Sequence, residues 1–161
     1  MSIPPVDAAA FRAALGQFAT GITVITARDE AGLDQGMTVS AFCALSLTPP
    51  LVLVCIGHDA TLAPTLAGAS HFGVSVLGES QAALSRRFAD AAAVRFDGVE
   101  HQRGVTGAAL LSGAVAQLEC RIAAKFPGGD HTIVVGEVIA AAAAGGAPLL
   151  HYQSTYHRLA E

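Results

Sequence analysis

The chain has 161 residues, of which 52% are hydrophobic and only 14% charged, a composition that predicts a folded core and excludes a disordered chain. Nine basic against thirteen acidic residues give a formal net charge of −4, which argues against nucleic acid as a partner because phosphate binding needs a basic face. No apolar run approaches the roughly 18 to 20 residues that cross a bilayer, and the first fifteen residues lack the basic start of a signal peptide, so neither a membrane partner nor a secretory leader is expected.

Three cysteines, Cys43, Cys55 and Cys120, form no CxxC pair. Their odd number argues against a disulfide framework and favours a reducing cytoplasm. Cys55 and Cys120 lie in apolar strand patterns, where we expect them to act as small buried hydrophobic residues.

The first third of the chain predicts a helix followed by strands. Asp7 is a good N-cap, and Phe11, Leu15 and Phe18 recur at helical spacing, so an amphipathic helix is expected over 8–18. β-branched and apolar runs predict strands at ITVITA (22–27), GMTVSAF (36–42) and LVLVCI (51–56). The last of these is apolar on both faces and is therefore expected to be central.

The middle of the chain adds two helices, one strand and an irregular stretch. TLAPTLAG (61–68), with Thr61 as its N-cap, and ESQAALSRRFAD (79–90) are predicted helices on either side of the strand FGVSVL (72–77). Residues 91–113 show no periodicity and are expected to be irregular.

The last third predicts a long hairpin. Apolar even positions alternate with polar odd ones from Ala114 to Lys125, so Gln117, Glu119 and Arg121 are expected on a solvated face. FPGGD (126–130) is a predicted turn, 131–141 the return strand, and 148–159 a closing strand with an aromatic end. Six or seven strands with two or three short helices predict a barrel or sandwich with the helices packed outside.

Several common catalytic signatures are missing. The sequence has no GxGxxG after a strand, no Walker loop, no GxSxG and no HExxH. The six histidines do not follow a familiar ligand spacing, so no metal site is predicted.

Three segments carry polar groups that a purely structural strand or turn does not need. Thr38, Ser40 and Ser46 place hydroxyls among apolar residues, where they either face a polar ligand or bond their own backbone at an edge. The adjacent arginines of SRRF (85–88) could hold a phosphate or could end a solvated helix. His131 follows a Gly-Gly-Asp turn and could contact an anionic or amide ligand or be an ordinary turn residue.

In this order, the segments resemble the flavin reductase-like family, the FMN-binding split barrels that supply reduced flavin to two-component monooxygenases. The resemblance runs from about Phe11 to Leu159. It lies in FRAALGQFATGITVIT (11–26), GMTVSAFCALSLTPPLVLVCI (36–56), HFGVSVL (71–77), SRRFA (85–89), GGDHTIVVGEV (128–138) and PLLHYQSTYHRL (148–159). It implies a mainly β, Greek-key-like split barrel with short α-helices, forming a single domain over 1–161 and a cytoplasmic homodimer.

The resemblance also implies an activity. A flavin reductase of this kind transfers a hydride from NADH or NADPH to FMN or FAD, and the reduced flavin diffuses to a partner monooxygenase. The hydride passes directly between the two cofactors, so no catalytic side chain is expected. The residues leave open FMN against FAD and NADH against NADPH. They also leave open a split barrel with tightly held FMN that acts in electron transfer, flavin storage or oxidation of another substrate, and a scaffold with an empty barrel.

The resemblance assigns site residues by position. The isoalloxazine contacts are Thr38, Val39, Ser40, Ala41, Ser46 and Leu47; the ribityl and phosphate contacts are Cys55, Ile56, Ala60 and Thr61, with Arg86 completing the phosphate site; His131, Tyr152 and Tyr156 lie on the nicotinamide side. The sequence departs from the family pattern in two places. DAT (59–61) stands where a serine is common, which puts one phosphate hydroxyl in doubt, and Ser75 stands where asparagine is frequent.

Overall fold

The computed structural model describes residues 4–159. Its helices are α1 (Ala8–Leu15), α2 (Ala63–Gly68) and α3 (Ala82–Ala89), the last preceded by a 3₁₀ turn, Glu79–Gln81. Its strands are β1 (Thr20–Gly21), β2 (Thr23–Arg28), β3 (Asp34–Val39), β4 (Phe42–Leu47), β5 (Pro50–Gly57), β6 (His71–Val76), β7 (His101–Arg103), β8 (Ala109–Leu111), β9 (Ala116–Gly128), β10 (His131–Ala143), β11 (Leu150–Tyr152) and β12 (Thr155–His157). The expectation of a mainly β protein with short helices is confirmed.

One antiparallel sheet of seven strands organises the molecule, in the order β3-β2-β6-β9-β10-β5-β4. β5 pairs with β10 on one side and β4 on the other, as its apolar sequence predicted. β9 and β10 form the predicted hairpin, with a turn reduced to Gly129 and Asp130. Two small sheets complete the fold, β1-β11-β12 and β7-β8; the second lies in the stretch expected to be irregular.

The core is built in two parts. The even positions of β5 and β10 bury Val52, Val54, Ile56 and Val134 against Phe72 of β6. A second cluster under α3 contains Ile22, Val24, Leu77, Phe88, Leu111 and Leu149. Cys120 is fully buried, and desolvation together with the neighbouring Glu119 charge raises the pKa of its thiol to about 12, so it packs as a small hydrophobic residue.

The N-terminal helix differs from its prediction in what it contacts. Asp7 caps α1 as expected, because its carboxylate accepts hydrogen bonds from the N–H groups of Ala9 and Ala10. The helix ends at Leu15 rather than at residue 18, and none of its residues is buried. Phe11, Leu15 and Phe18 are each more than half exposed. Its apolar face therefore has no partner in the described part of this chain.

The predicted wet face of β9 is wrong at Glu119. This carboxylate is only 4% exposed and accepts hydrogen bonds from the backbone N–H groups of Val105 and Thr106 and from the Thr106 hydroxyl. Burial alone would raise the pKa of Glu119, but these bonds outweigh it and the net pKa is lowered. The alternating pattern could not show that the 104–107 loop folds over this strand.

Candidate functional site

The corner between β3 and β4 presents unpaired backbone donors. Ser40 and Ala41 lie between the two strands and are exposed. Their carbonyls are used, since Ser40 accepts from the Phe42 N–H and Ala41 accepts from the Cys55 N–H, both at 2.9 Å. Within residues 4–159, neither the Ser40 N–H nor the Ala41 N–H has a hydrogen-bond acceptor. Two adjacent N–H donors at an exposed corner can bind the carbonyl edge of a ligand.

A polar cluster joins β3, α3 and β12 beside this corner. The Thr38 hydroxyl donates to the Ser85 carbonyl at 2.6 Å, so its hydrogen is not available to a ligand. The buried Ser85 hydroxyl and the Tyr156 hydroxyl are 2.8 Å apart. The Arg86 guanidinium lies 4.9 Å from the centre of the Tyr156 ring, a distance at which a cation is attracted to the ring face. The structure thus brings Thr38, Arg86 and Tyr156 together.

Arg95 contributes to the same region and was not predicted. It follows α3 and donates through Nη1 to the Gly36 carbonyl at 2.8 Å and to Thr61 Oγ1 at 2.5 Å. The prediction of Thr61 as the N-cap of α2 is wrong, because the helix begins one residue later and Leu62 is the N-cap, without a side-chain bond. Arg95 lies in the stretch that lacks periodicity, so only its charge could have marked it.

The predicted residues on β5 differ in what they can offer a ligand. The side chains of Val39 and Ile56 are buried in the core, so only their backbone groups are available. Cys55 is half-buried on the opposite face of β5, and burial raises the pKa of its thiol, which disfavours the reactive thiolate. Ala60 is half-buried in the loop after β5.

Ser46 and Leu47 lie away from this group. Ser46 lies five positions after Ala41, near the far end of β4, which at a rise of about 3.3 Å per residue places the two residues roughly 16 Å apart. Leu47 is 89% exposed. Within one chain, the structure does not bring these two residues to the corner.

His131 stands at the end of the β9–β10 hairpin, opposite Gly57 of β5. Its Nδ1 is 2.7 Å from the Asp130 carboxylate, and the Asp130 carbonyl accepts from the His58 N–H at 3.0 Å. The hydrogen bond with His131 is the main cause of the lowered pKa of Asp130. A Cβ at Gly57 would lie 3.6 Å from His131 Nε2, so the imidazole borders the strand end that leads to Thr61.

The two predicted tyrosines lie on opposite faces of the β1-β11-β12 sheet. Tyr156 pairs directly with His151, whereas Tyr152 pairs with Thr155; alternate residues of a strand point to opposite faces. The Tyr152 hydroxyl donates to Gln17 at 2.9 Å. Tyr156 faces α3 and the second core cluster. The structure therefore does not bring Tyr152 and Tyr156 into one pocket within a chain.

Two absences hold for residues 4–159. No group of three or more His, Cys, Asp or Glu side chains there is arranged to hold a metal ion. In the same part of the chain, no helix is long and apolar enough to cross a membrane.

Over most of its length, the chain is similar to flavin reductases and to the reductase components of monooxygenases. Residues 15–160 match the model of the flavin reductase like domain. The reductase component of 4-hydroxyphenylacetate 3-monooxygenase from Thermus thermophilus is 43% identical, with 93% of this chain and 95% of that protein covered. An NADH-dependent FMN reductase from Agrobacterium fabrum is 43% identical, with 86% and 79% covered. The solved structure of an NADH:FAD oxidoreductase from Streptomyces globisporus, in complex with NAD and FAD fragments, superposes with a TM-score of 0.91 at 40% identity, covering 99% of this chain and 97% of that one.

Proposed function

The chain belongs to the flavin reductase-like domain family, and we propose that it is an NAD(P)H-dependent flavin reductase. It transfers a hydride from NADH or NADPH to FMN or FAD, and the reduced flavin diffuses to a partner monooxygenase. Relatives named as NADH-dependent reductases, one of them a monooxygenase component, support this activity.

One observation in the structure carries the proposal: the two unpaired N–H donors of Ser40 and Ala41 at an exposed corner. The pyrimidine edge of a flavin presents carbonyl and ring-nitrogen acceptors that match such a pair. When bound, the flavin supplies the ring that accepts the hydride. The corner's N–H groups would hold this edge and stabilise negative charge on it. The residues present therefore fit the cofactor.

The side chains at this corner position the ligands rather than react with them. Ser40 and Thr38 would hold the isoalloxazine together with the backbone of Val39 and Ala41. The ribityl chain and phosphate would be held by Cys55, Ile56, Ala60 and Thr61, and Arg86 would add a charge to the phosphate site. The raised thiol pKa of Cys55 keeps it protonated and unreactive there. Ser46 and Leu47 would contact the flavin only if the ligand extends along the whole of β4, or if they belong to the second copy of the chain.

In this proposal, His131 and Tyr156 would contact the hydride donor. With Asp130 bound to Nδ1, His131 has only Nε2 left for a ligand. The Tyr156 hydroxyl is held by its hydrogen bond with Ser85, so the ring would offer the donor a surface of fixed orientation. Tyr152 lies on the opposite face of its sheet. It would contact the hydride donor only at the edge of that sheet, or the donor bound to a second copy of the chain.

We further infer that the seven-stranded sheet closes into one split-barrel domain and that two copies pair. The exposed apolar face of α1, formed by Phe11, Leu15 and Phe18, supports this pairing because apolar faces of this kind are normally covered. A second copy of the chain is the occupant that fits, since the face carries no charge to select another partner. Three free cysteines agree with a reducing cytoplasm.

Steady-state kinetics test the activity. NADH and NADPH consumption is measured with the apo-protein alone and after addition of FMN, FAD or riboflavin. We expect turnover that depends on added flavin. Bound flavin with little turnover would instead identify a flavin-storage or electron-transfer protein.

A further inference from the structure

Ser85, in α3, contacts one residue from each side of the proposed site. Its carbonyl accepts from the Thr38 hydroxyl on β3 at 2.6 Å, and its own hydroxyl is 2.8 Å from the Tyr156 hydroxyl on β12. The proposed function gives Thr38 to the flavin side and Tyr156 to the nicotinamide side. A single residue of α3 therefore connects the two sides, through its backbone to one and through its side chain to the other.

The Ser85 and Tyr156 hydroxyls carry two hydrogens but make one hydrogen bond. Ser85 is completely buried, and within residues 4–159 the Tyr156 oxygen is the only acceptor within reach of its hydrogen. Tyr156 is only half-buried. A buried donor without an acceptor is unfavourable, whereas a partly exposed hydroxyl can donate to solvent or to a ligand. Ser85 is therefore the donor of this bond, and the Tyr156 hydrogen remains available.

The face of the small sheet that carries Tyr156 holds another unused polar group. Thr20 pairs with His151, and His151 pairs with Tyr156, so the three side chains lie on the same face. Thr20 Oγ1 is buried without a hydrogen-bond partner in the described part of the chain. The His151 ring packs edge-on to the Tyr156 ring, with 6.1 Å between their centres. Unpaired polar groups on one face favour a polar ligand there.

We propose that Ser85 is a positioning residue for the hydride donor. By donating to the Tyr156 oxygen, its hydroxyl fixes the tyrosine and directs the Tyr156 hydrogen toward an oxygen acceptor of the bound nicotinamide dinucleotide. The inference rests on the proposed function, because that function places Tyr156 on the nicotinamide side. It adds a buried residue that acts on the donor only through Tyr156.

Steady-state kinetics with NADH and flavin titration of Ser85→Ala test this role. We expect the KM for NADH to rise about three- to tenfold, as for loss of a neutral hydrogen bond, with kcat and flavin affinity each within about twofold of wild type. The flavin side is spared because Thr38 bonds the Ser85 carbonyl, which the substitution keeps. Tyr156→Phe should raise the KM at least as much. Adding Ser85→Ala to Tyr156→Phe should change nothing further, because Ser85 acts through the Tyr156 hydroxyl.

Ser75→Ala is the matched control. Ser75 is likewise a buried serine, and its hydroxyl accepts from the Leu111 N–H at 2.9 Å, away from the proposed site. Its substitution should lower the free energy of unfolding without changing the KM for NADH. Ser85→Cys, which keeps a weak donor of similar shape, should give a KM between those of Ser85→Ala and the wild type.

An unchanged KM for NADH in Ser85→Ala would overturn the proposal. A further rise in the double variant, or an equal loss of flavin affinity, would overturn it as well, because either would make Ser85 a residue of the fold only. Should Ser85→Ala not fold, Ser85→Cys decides: a KM rise without loss of flavin affinity supports the proposal, and an unchanged KM overturns it. A wild-type protein without flavin-dependent NADH oxidation would refute the proposed function and this inference with it, whereas wild-type turnover combined with any of the contrary results refutes the inference alone.

Discussion

His131→Ala separates the two cofactor sides of the proposed site. The imidazole stands on a strand end opposite Gly57, and its Nδ1 is bound to the Asp130 carboxylate. Asp130 fixes the ring, so a ligand meets Nε2. Removing the ring takes away one hydrogen bond to the hydride donor while leaving the Ser40–Ala41 corner intact.

The size of the effect follows from the type of bond lost. A neutral hydrogen bond contributes about 0.5–1.5 kcal/mol, and a charge-assisted one up to about 3 kcal/mol. At about 1.4 kcal/mol per tenfold change, kcat/KM for NADH or NADPH should fall between a few-fold and about a hundredfold. Flavin affinity should stay within about twofold. Asp130→Asn should lower kcat/KM less, because the ring remains but loses its anchor.

The assay is steady-state kinetics with NADH and NADPH together with flavin titration, on His131→Ala and on His58→Ala as the neighbouring control. His58 is exposed, and its hydrogen bond to Asp130 comes from the backbone N–H, which the substitution keeps. The charge of its imidazole is only the weakest of the causes that lower the pKa of Asp130, so His58→Ala should leave both parameters nearly unchanged. Unchanged kinetics in His131→Ala would refute the assignment. A loss of flavin affinity with intact nicotinamide kinetics would show that the two sides are reversed.

Three further predictions follow from named contacts. Arg86→Ala should weaken FMN binding about ten- to a hundredfold and riboflavin binding little, since a phosphate contact is worth roughly 1.5–3 kcal/mol; calorimetric titration measures both. Sedimentation at micromolar concentration should show a dimer, and Phe11→Glu, which charges the exposed face of α1, should shift it to a monomer. Glu119→Gln should lower the free energy of unfolding by about 1–3 kcal/mol at pH 7, measured by urea denaturation. Because the pKa of Glu119 is lowered in the fold, its contribution is present above the usual carboxyl value of 4.5 and is lost as pH falls through the lowered value.

The controls depend on contacts that the sequence did not reveal. Arg87 cannot serve as the neutral comparison for Arg86, because it donates to the carbonyls of Val94 and Asp97 and holds the segment that carries Arg95. Arg158→Ala, which removes an exposed arginine paired with Glu79, is used instead. Equal loss of FMN and riboflavin binding would mean that Arg86 stabilises the fold or contacts the nicotinamide cofactor instead of the flavin phosphate. A clean 16.3 kDa species would contradict the dimer, and a Glu119→Gln protein as stable as wild type would contradict the role of its three hydrogen bonds.

The sequence by itself determined the local elements and the family. β-branched runs, period-two alternation and the Asp7 cap predicted most strands and the start of α1, since these features depend on neighbours a few residues apart. The ordered motifs from Phe11 to Leu159 indicated the flavin reductase-like family, which the family match supports.

Only the tertiary structure decided which surfaces meet. Periodicity marks an apolar face but not what covers it, so the exposed face of α1 and the buried Glu119 both escaped prediction. Arg95 escaped for the same reason, because its acceptors on β3 and at Thr61 come from distant parts of the chain. The opposite facing of Tyr152 and Tyr156 depends on strand pairing at β11 and β12. Side-chain partners of this kind are set by how elements pack in three dimensions, and no local pattern encodes that packing.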